Sequence, residues 1–327
     1  MPSPVELAAL VALLREGHRP WQVYAELVEE TGSALHVLEH ELERDDRSEA
    51  LFDLDPVGQA ADARVDVSTA LDAAATELAA WRADGIDVVS ILDDSYPENL
   101  HGLHGRPPLL FVAGALMTAD ARAVAVVGSR APTADGIAAG RRIAGDLANA
   151  GYTIFSGLAA GIDTAAHTAT LAEGGRTVAV VGTGLRHCYP PQNSQLSRRI
   201  ARECALVSQF WPDAPPTRRS FPMRNAVMSG MTLGTVIVEA FHASGTRIQA
   251  RLALAQGRPV FIHRSLLSQP WARELATRSG AYPIADSGEI LAVVERLTSD
   301  DQLMRDEHTA GTPGVVIVRR SRRGDRL

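Results

Sequence analysis

The sequence predicts an α/β fold built on a doubly wound, mostly parallel sheet and preceded by a small helical N-terminal domain. Three observations carry this expectation. From Ala123 onward, the short apolar runs AVAVV, YTIF, TVAVV, ALVS, TVIVE and PVFI alternate with Ala-rich segments of helical period. These runs are apolar at nearly every position, as in strands covered on both faces. Nearly every run ends in Gly or Ser, residues that suit a tight turn from strand to helix. The domain is therefore Rossmann-like and extended, spanning about 121–297, and its ligands are expected beyond the carboxyl ends of the strands.

Upstream, Val5–Glu16 carries apolar residues at helical spacing, and Pro20 suits the opening of a second helix over Trp21–Glu30. Leu35–Leu42 continues the pattern, and Asp45–Gln59 reads as an acidic connection. Val67–Ala83, rich in Ala and closed by Gly85, predicts another helix. Ile86–Val89 and Leu109–Val112 read as short strands flanking the turn-rich SYPENLHGLHGRPP. Four segments follow: an acidic helical region (1–60), a helix-and-strand lead-in (61–120), the Rossmann-like domain (121–297) and a tail (298–327). The tail is polar and then basic, ending RRSRRGDRL, and is expected to be flexible in part.

Composition excludes several functions. The 327 residues are 46% hydrophobic and 22% charged, an ordinary globular balance with room for a large core. No apolar run has the length of a membrane span, and the N-terminus carries Glu6 without a basic leader pattern, so a cytoplasmic protein away from membranes is expected. Two cysteines, Cys188 and Cys204, exclude a disulfide framework and read as small buried residues. All 32 basic residues are Arg. Without lysine neither a P-loop nor a Schiff-base site can form, whereas Arg still grips phosphate through its planar fork.

The net charge of −7 hides an asymmetry: residues 1–120 hold 23 acids and 7 Arg, whereas residues 121–263 hold 7 acids and 15 Arg. A basic central domain suits a polyanionic ligand, although a solvated Arg surface gives the same count. The acidic N-terminal region is expected to screen that domain, so deleting 1–60 should tighten anion binding at low salt.

Chemistry-bearing residues cluster where strands end. After the first run come Gly128, Ser129 and Arg130, which either place an anion at a helix N-terminus or form a plain tight turn with a surface Arg. After the second comes SGLAAGIDTAAH, in which Ser156, Gly157 and Gly161 suit a phosphate-cradling loop. Asp163 and His167, four residues apart on one helical face, suggest an internal structural hydrogen bond in preference to acid–base catalysis, because no serine nucleophile can be assigned with them. Further on, PPTRRSFPMRNAVMSG gathers Arg218, Arg219, Phe221, Arg224 and Asn225, a mixture able to contact phosphates and stack on bases. TVIVEAFHASGT adds Thr235, Glu239, Ser244 and Gly245 as supporting candidates. His36 with His40, and His101 with His104, lack a convincing third ligand, so no metal and no cofactor is expected. Trp211 and Trp271 suit packing better than base stacking.

In order and spacing, VGSR (127–130), SGLAAGIDTAAH (156–167), VGTGLRHCYPPQN (181–193), FPMRNAVMSG (221–230) and TVIVEAFHASG (235–245) resemble the DprA/Smf family of DNA-processing proteins of bacterial transformation. Residues 84–114 resemble the stretch preceding that domain. The resemblance implies binding and protection of single-stranded DNA without covalent catalysis, homodimerisation through the Rossmann-like domain, and loading of RecA onto the strand. It also implies an anion pocket using Arg130, with Arg218 or Arg219, Arg224 and Asn225. Three stretches depart from the family: REGHRPWQVYAELVEE (15–30) lacks a helix-hairpin-helix glycine pattern. SGTRIQARLALAQGR (244–258) replaces SGSLITA, and RSLLSQPWARELATRSGAYPIADS (264–287) replaces the PG-loop segment. The tail is also shorter than the winged-helix-like domain of many members. The alternative is a nucleotide-binding sensor or a LOG-like nucleoside monophosphate hydrolase: SGMTLGTVIVE (229–239) keeps Gly234, Thr235 and Glu239 of PGGxGTxxE but not its PGG.

Overall fold

The structure, a computed structural model, describes residues 3–50, 66–241 and 245–310. Helix α1 (Pro4–Glu16) starts at Ser3, whose hydroxyl accepts from the Glu6 amide, and has Pro4 in its first turn. Its middle, Ala8–Leu14, is wholly buried. Helix α2 (Trp21–Thr31) ends on Gly32 in the left-handed region, the conformation that glycine adopts most readily. Helix α3 covers Ala34–Ala50 and α4 covers Val67–Ala83, the latter capped by the Asp66 carboxylate accepting from the Thr69 amide.

The helix expected over Leu35–Leu42 thus runs on through Asp45–Ala50, which corrects the start of the acidic connection. Across Ala34–Ala50 as a whole the helix is rich in Glu, Leu and Arg, good helix formers, so acidity alone was a poor signal for a loop. The rest of that connection lies outside the described residues, as do most of the tail and its basic end.

The remaining elements alternate: β1 (Asp87–Ser90), β2 (Leu109–Gly114), β3 (Ala123–Val127), α5 (Ala134–Asn149), β4 (Thr153–Ser156), α6 (Ile162–Ala172), β5 (Thr177–Val180), α7 (Ser194–Glu203), β6 (Ala205–Ser208), α8 (Ser220–Gly230), β7 (Gly234–Ile237), α9 (Gly245–Ala255), β8 (Val260–His263), α10 (Pro270–Ala276) and β9 (Ala281–Ile284). They form one nine-stranded sheet in the order β1-β2-β6-β5-β4-β3-β7-β8-β9. Pairings from β6 through β9 are parallel, and only β1–β2 and β2–β6 are antiparallel. The fold is the mostly parallel, Rossmann-like sheet that the alternating runs predict. The two strands of the lead-in belong to the same sheet.

Strands β3 to β7 are buried at every position, as their unbroken apolar runs require. The N-terminal helices share a hydrophobic core with the sheet, in which Leu10, Leu13, Tyr24 and Leu38 join Phe111 and Val207. Trp211 packs against Trp21 at 5.1 Å and Trp81 at 5.8 Å, and Trp81 meets Phe111 edge-on at 5.2 Å. Acids of this region are tied to arginines: Glu29 to Arg106, Glu77 to Arg15 and Asp84 to Arg186. A shared apolar core joins the acidic region to the sheet, reinforced by the Glu29–Arg106 and Asp84–Arg186 pairs, while Arg15–Glu77 ties α1 to α4. Residues from Gly288 form a second compact unit, whose described part is helical within α11 (Ser287–Ala310).

Candidate nucleic-acid interface

From β3 the chain winds through β4, β5 and β6 to one side, then returns to lay β7, β8 and β9 on the other. The loops leaving β3 and β7 therefore diverge and open a crevice at the switch point of the sheet. A cavity of about 430 Å³ fills it, a size suited to one small organic ligand.

The loop after β3 supplies Gly128, Ser129 and Arg130 to the cavity wall. Ser129 is buried: its hydroxyl accepts from the Ala131 amide at 3.1 Å and its carbonyl accepts from the Ile162 amide at 3.1 Å. These bonds fix the loop against the start of α6 and leave Arg130 exposed, its guanidinium 5.4 Å from the Phe221 ring. Gly161, just before α6, has φ +82°, and a β-carbon there would collide with the Ser129 carbonyl. Ser156 lies deeper, wholly buried, with its hydroxyl donating to the Val126 carbonyl at 2.7 Å.

Helix α8 supplies Phe221, Arg224 and Asn225 to the wall. Arg224 is buried, and its Nη1 donates to the carbonyls of Gly157 and Val180, both at 2.6 Å, while Nε donates to Asn225 Oδ1 at 3.0 Å. Burial lowers its pKa to about 10, with Asp163 opposing and Arg130 adding to the shift, so it stays charged at neutral pH. Asp163 Oδ2 accepts from the amides of Gly157 and Ala159 at 3.1 and 3.3 Å. Burial raises the Asp163 carboxyl pKa, against the pull of Arg224 and those amides.

His167 is also fully buried, 2.7 Å from the Thr177 hydroxyl. That hydroxyl gives its one proton to the Ile154 carbonyl at 2.6 Å, so His167 Nδ1 must be the donor to it. Burial first, then the charge of Arg224, lowers the imidazole pKa to about 3, and the ring is neutral. Asp163 and His167 thus take separate structural partners.

Arg218 and Arg219 are exposed in the turn entering α8, beside the cavity but not in its wall. Thr217 and Ser220 bond each other reciprocally and fix that turn. Thr235 is buried within β7, below the site. Thr133 caps α5, its hydroxyl accepting from the Gly136 amide at 3.0 Å, and Glu239 holds that cap: its carboxylate accepts from the Thr133 amide at 3.0 Å and from the Thr133 hydroxyl at 2.5 Å. The helix end where a Rossmann-like fold would hold a phosphate is therefore already met by a carboxylate. Gly245 opens α9 at the wall, and Ser244 lies outside the described residues.

Seven wall residues escaped the sequence reading, among them Phe241, Thr246 and Gln249. Phe241 is 54% exposed, Thr246 hydrogen-bonds the Gly128 carbonyl, and Gln249 is buried. The available signals were an aromatic just past an apolar strand, and a Gln on the buried stripe that α9 forms with Ala250 and Ala253. Among the described residues no cluster of three His, Cys, Asp or Glu is placed to hold a metal ion, and no helix is long and apolar enough to cross a membrane.

A family model described as DNA recombination-mediator protein A matches residues 87–295, a span containing the whole cavity. The chain belongs to this family. Its relatives include the DNA processing protein DprA of Bacillus subtilis, 37% identical over 60% of this chain and 66% of that protein. The DprA of Streptococcus pneumoniae is 42% identical over 53% of this chain and 61% of its own length. The matched stretch is thus somewhat under two thirds of either relative. Among solved structures, the S. pneumoniae DprA superposes with a TM-score of 0.65 at 29% identity, covering 89% of this chain and 98% of that one. The DNA processing protein A of Helicobacter pylori, described for its single-stranded DNA binding mode, gives a TM-score of 0.57 at 25% identity, covering 66% and 96%. The family's matched span also includes both segments that depart in sequence, the one around α9 and the one from Arg264 to Ser287.

Proposed function

We propose that this chain binds single-stranded DNA at the switch-point cavity and acts in DNA processing and recombination without covalent catalysis. The observation that carries the reading is the juxtaposition of exposed Arg130 with the Phe221 ring at the mouth of an open cavity. A charged fork for phosphate next to an aromatic face for a base is the pairing that strand-binding grooves use. Exposed Arg218, Arg219 and Phe241 extend the same chemistry along the surface. Family membership and the single-strand binding described for the H. pylori relative support it. Protection of the strand, loading of RecA and homodimerisation through the sheet domain are the further steps that the family suggests for this chain.

The hydrolase alternative needs a carboxylate available for chemistry. Glu239, the acid its motif would supply, is spent on holding Thr133, the cap of α5, while Asp163 and His167 are held by the surrounding loop and strand.

Fluorescence anisotropy of labelled single strands across a salt series tests the proposal, with Arg130→Ala as the variant and duplex DNA and AMP as competitors. Salt-sensitive binding that prefers single strands and weakens in the variant is expected. Absence of strand binding, with AMP bound or consumed, would replace it with the nucleotide reading.

A further inference from the structure

Gln249 on α9 is only 2% exposed, and both its Oε1 and its Nε2 are buried without a hydrogen-bond partner. A buried amide unpaired at both ends is costly, and it lies in the wall of the cavity that holds Arg130 and Phe221. Neither atom is open to solvent, so a partner for it comes from whatever enters that cavity once the side chain turns toward the opening. We infer that Gln249 hydrogen-bonds the Watson–Crick edge of a nucleobase that enters from a single strand. The inference rests on the single-strand proposal above and adds what the cavity recognises: an unpaired base as well as phosphate.

The chemistry follows from the amide. It offers one acceptor and one donor side by side. Each base carries an adjoining donor and acceptor on its pairing edge: an amino group beside a ring nitrogen in adenine and cytosine, a ring N–H beside a carbonyl in guanine and thymine. A side chain turned either way matches all four, so the contact tolerates any sequence. In a duplex those atoms are taken by the opposite strand, so only an unpaired base can offer them. Arg130 cannot make this distinction, because phosphate is present in both forms. Exposed Phe241, also in the cavity wall, supplies an aromatic face for the entering ring.

The test uses the full chain and two labelled strands of about 15 nucleotides, an oligothymidine and an abasic strand of equal phosphate charge. Wild type is expected to favour the base-bearing strand by roughly tenfold or more, from two hydrogen bonds and stacking. Gln249→Met keeps the length and removes both polar atoms. It should bind the abasic strand as wild type does, lose the hydrogen-bonded share of the preference for bases while keeping the share from stacking on Phe241, and discriminate less against duplex. Gln249→Glu, which keeps the shape but lacks the donor, serves if the first variant is poorly folded; its ratio of the two affinities should also fall. A wild type that binds both strands equally, or variants whose ratio is unchanged, would overturn the inference and leave the single-strand proposal standing. A wild type that binds neither strand would overturn both.

Discussion

Gly157 lies flat against the guanidinium of Arg224, so closely that a β-carbon on it would stand 2.6–2.7 Å from Nη1, Cζ and Nη2. The glycine exists here for the arginine: Arg224 bonds the Gly157 and Val180 carbonyls and so ties the loop after β4 to the end of β5. Gly157→Ala must displace a charged side chain from buried carbonyls that then lose their donor. We expect destabilisation of about 1–3 kcal/mol, seen as a lower denaturation midpoint at unchanged slope. An unaltered midpoint would mean that Arg224 has room to move and does not brace the loop.

Arg130 should behave in the opposite way. It is exposed and held by no buried partner network, so Arg130→Ala should leave stability within about 0.5 kcal/mol. Strand affinity should nevertheless fall, and the salt dependence should lose roughly one counterion's worth of slope. Reduced affinity with an unchanged slope would place the lost contact on a base and not on phosphate.

The contrast between these two arginines shows what a sequence can and cannot say. Both stand in recognisable motifs, VGSR and FPMRN, and both read as phosphate contacts. Which one is exposed depends on carbonyls 67 and 44 residues away from Arg224, and no local pattern encodes that. The parallel strands were legible because burial on both faces leaves no polar interruptions. Edge strand β9 was not, because Pro283 interrupts it, and an edge is where a sheet tolerates proline. Gln249 and Phe241 were missed for a related reason: a cavity is assembled from several segments, and the local signal of each, an amide on a buried helical stripe and an aromatic just past a strand, does not say that the two share one.

Glu239 offers a second separation of stability from binding. Its carboxylate reaches Thr133 at the N-terminus of α5, 106 residues earlier in the chain. Glu239→Gln removes the charge at that helix end and weakens the cap, at a cost of about 0.5–2 kcal/mol. Since it also removes a negative charge from the cavity's surroundings, strand affinity should hold or rise slightly. A large fall in affinity at intact stability would show that the carboxylate serves the ligand directly.

The acidic N-terminal region gives a prediction that the structure revises. Deleting residues 1–60 would strip Leu10, Leu13, Tyr24 and Leu38 from the core shared with the sheet. The expected result is a destabilised, aggregation-prone protein instead of a tighter binder, measured by thermal unfolding and light scattering. A soluble truncation with unchanged unfolding temperature would show that the helices merely rest on the sheet.

Acid stability should report His167. Its imidazole has a pKa of about 3 in the folded chain, against an ordinary value of 6.5. Between those values the unfolded chain binds a proton that the folded chain refuses. Stability contributed by the neutral ring is therefore complete above about pH 6.5 and is lost as pH falls toward 3, at roughly 1.4 kcal/mol per pH unit. Asp163 works against this trend, because its raised pKa lets the folded chain hold a proton where the unfolded carboxylate has released it. Comparing variants isolates the histidine: His167→Gln can still donate to Thr177 but does not titrate. Its denaturation midpoint should fall less steeply than that of wild type between pH 6.5 and 4. Parallel curves for the two proteins would mean that the wild-type ring takes up its proton without unfolding the chain.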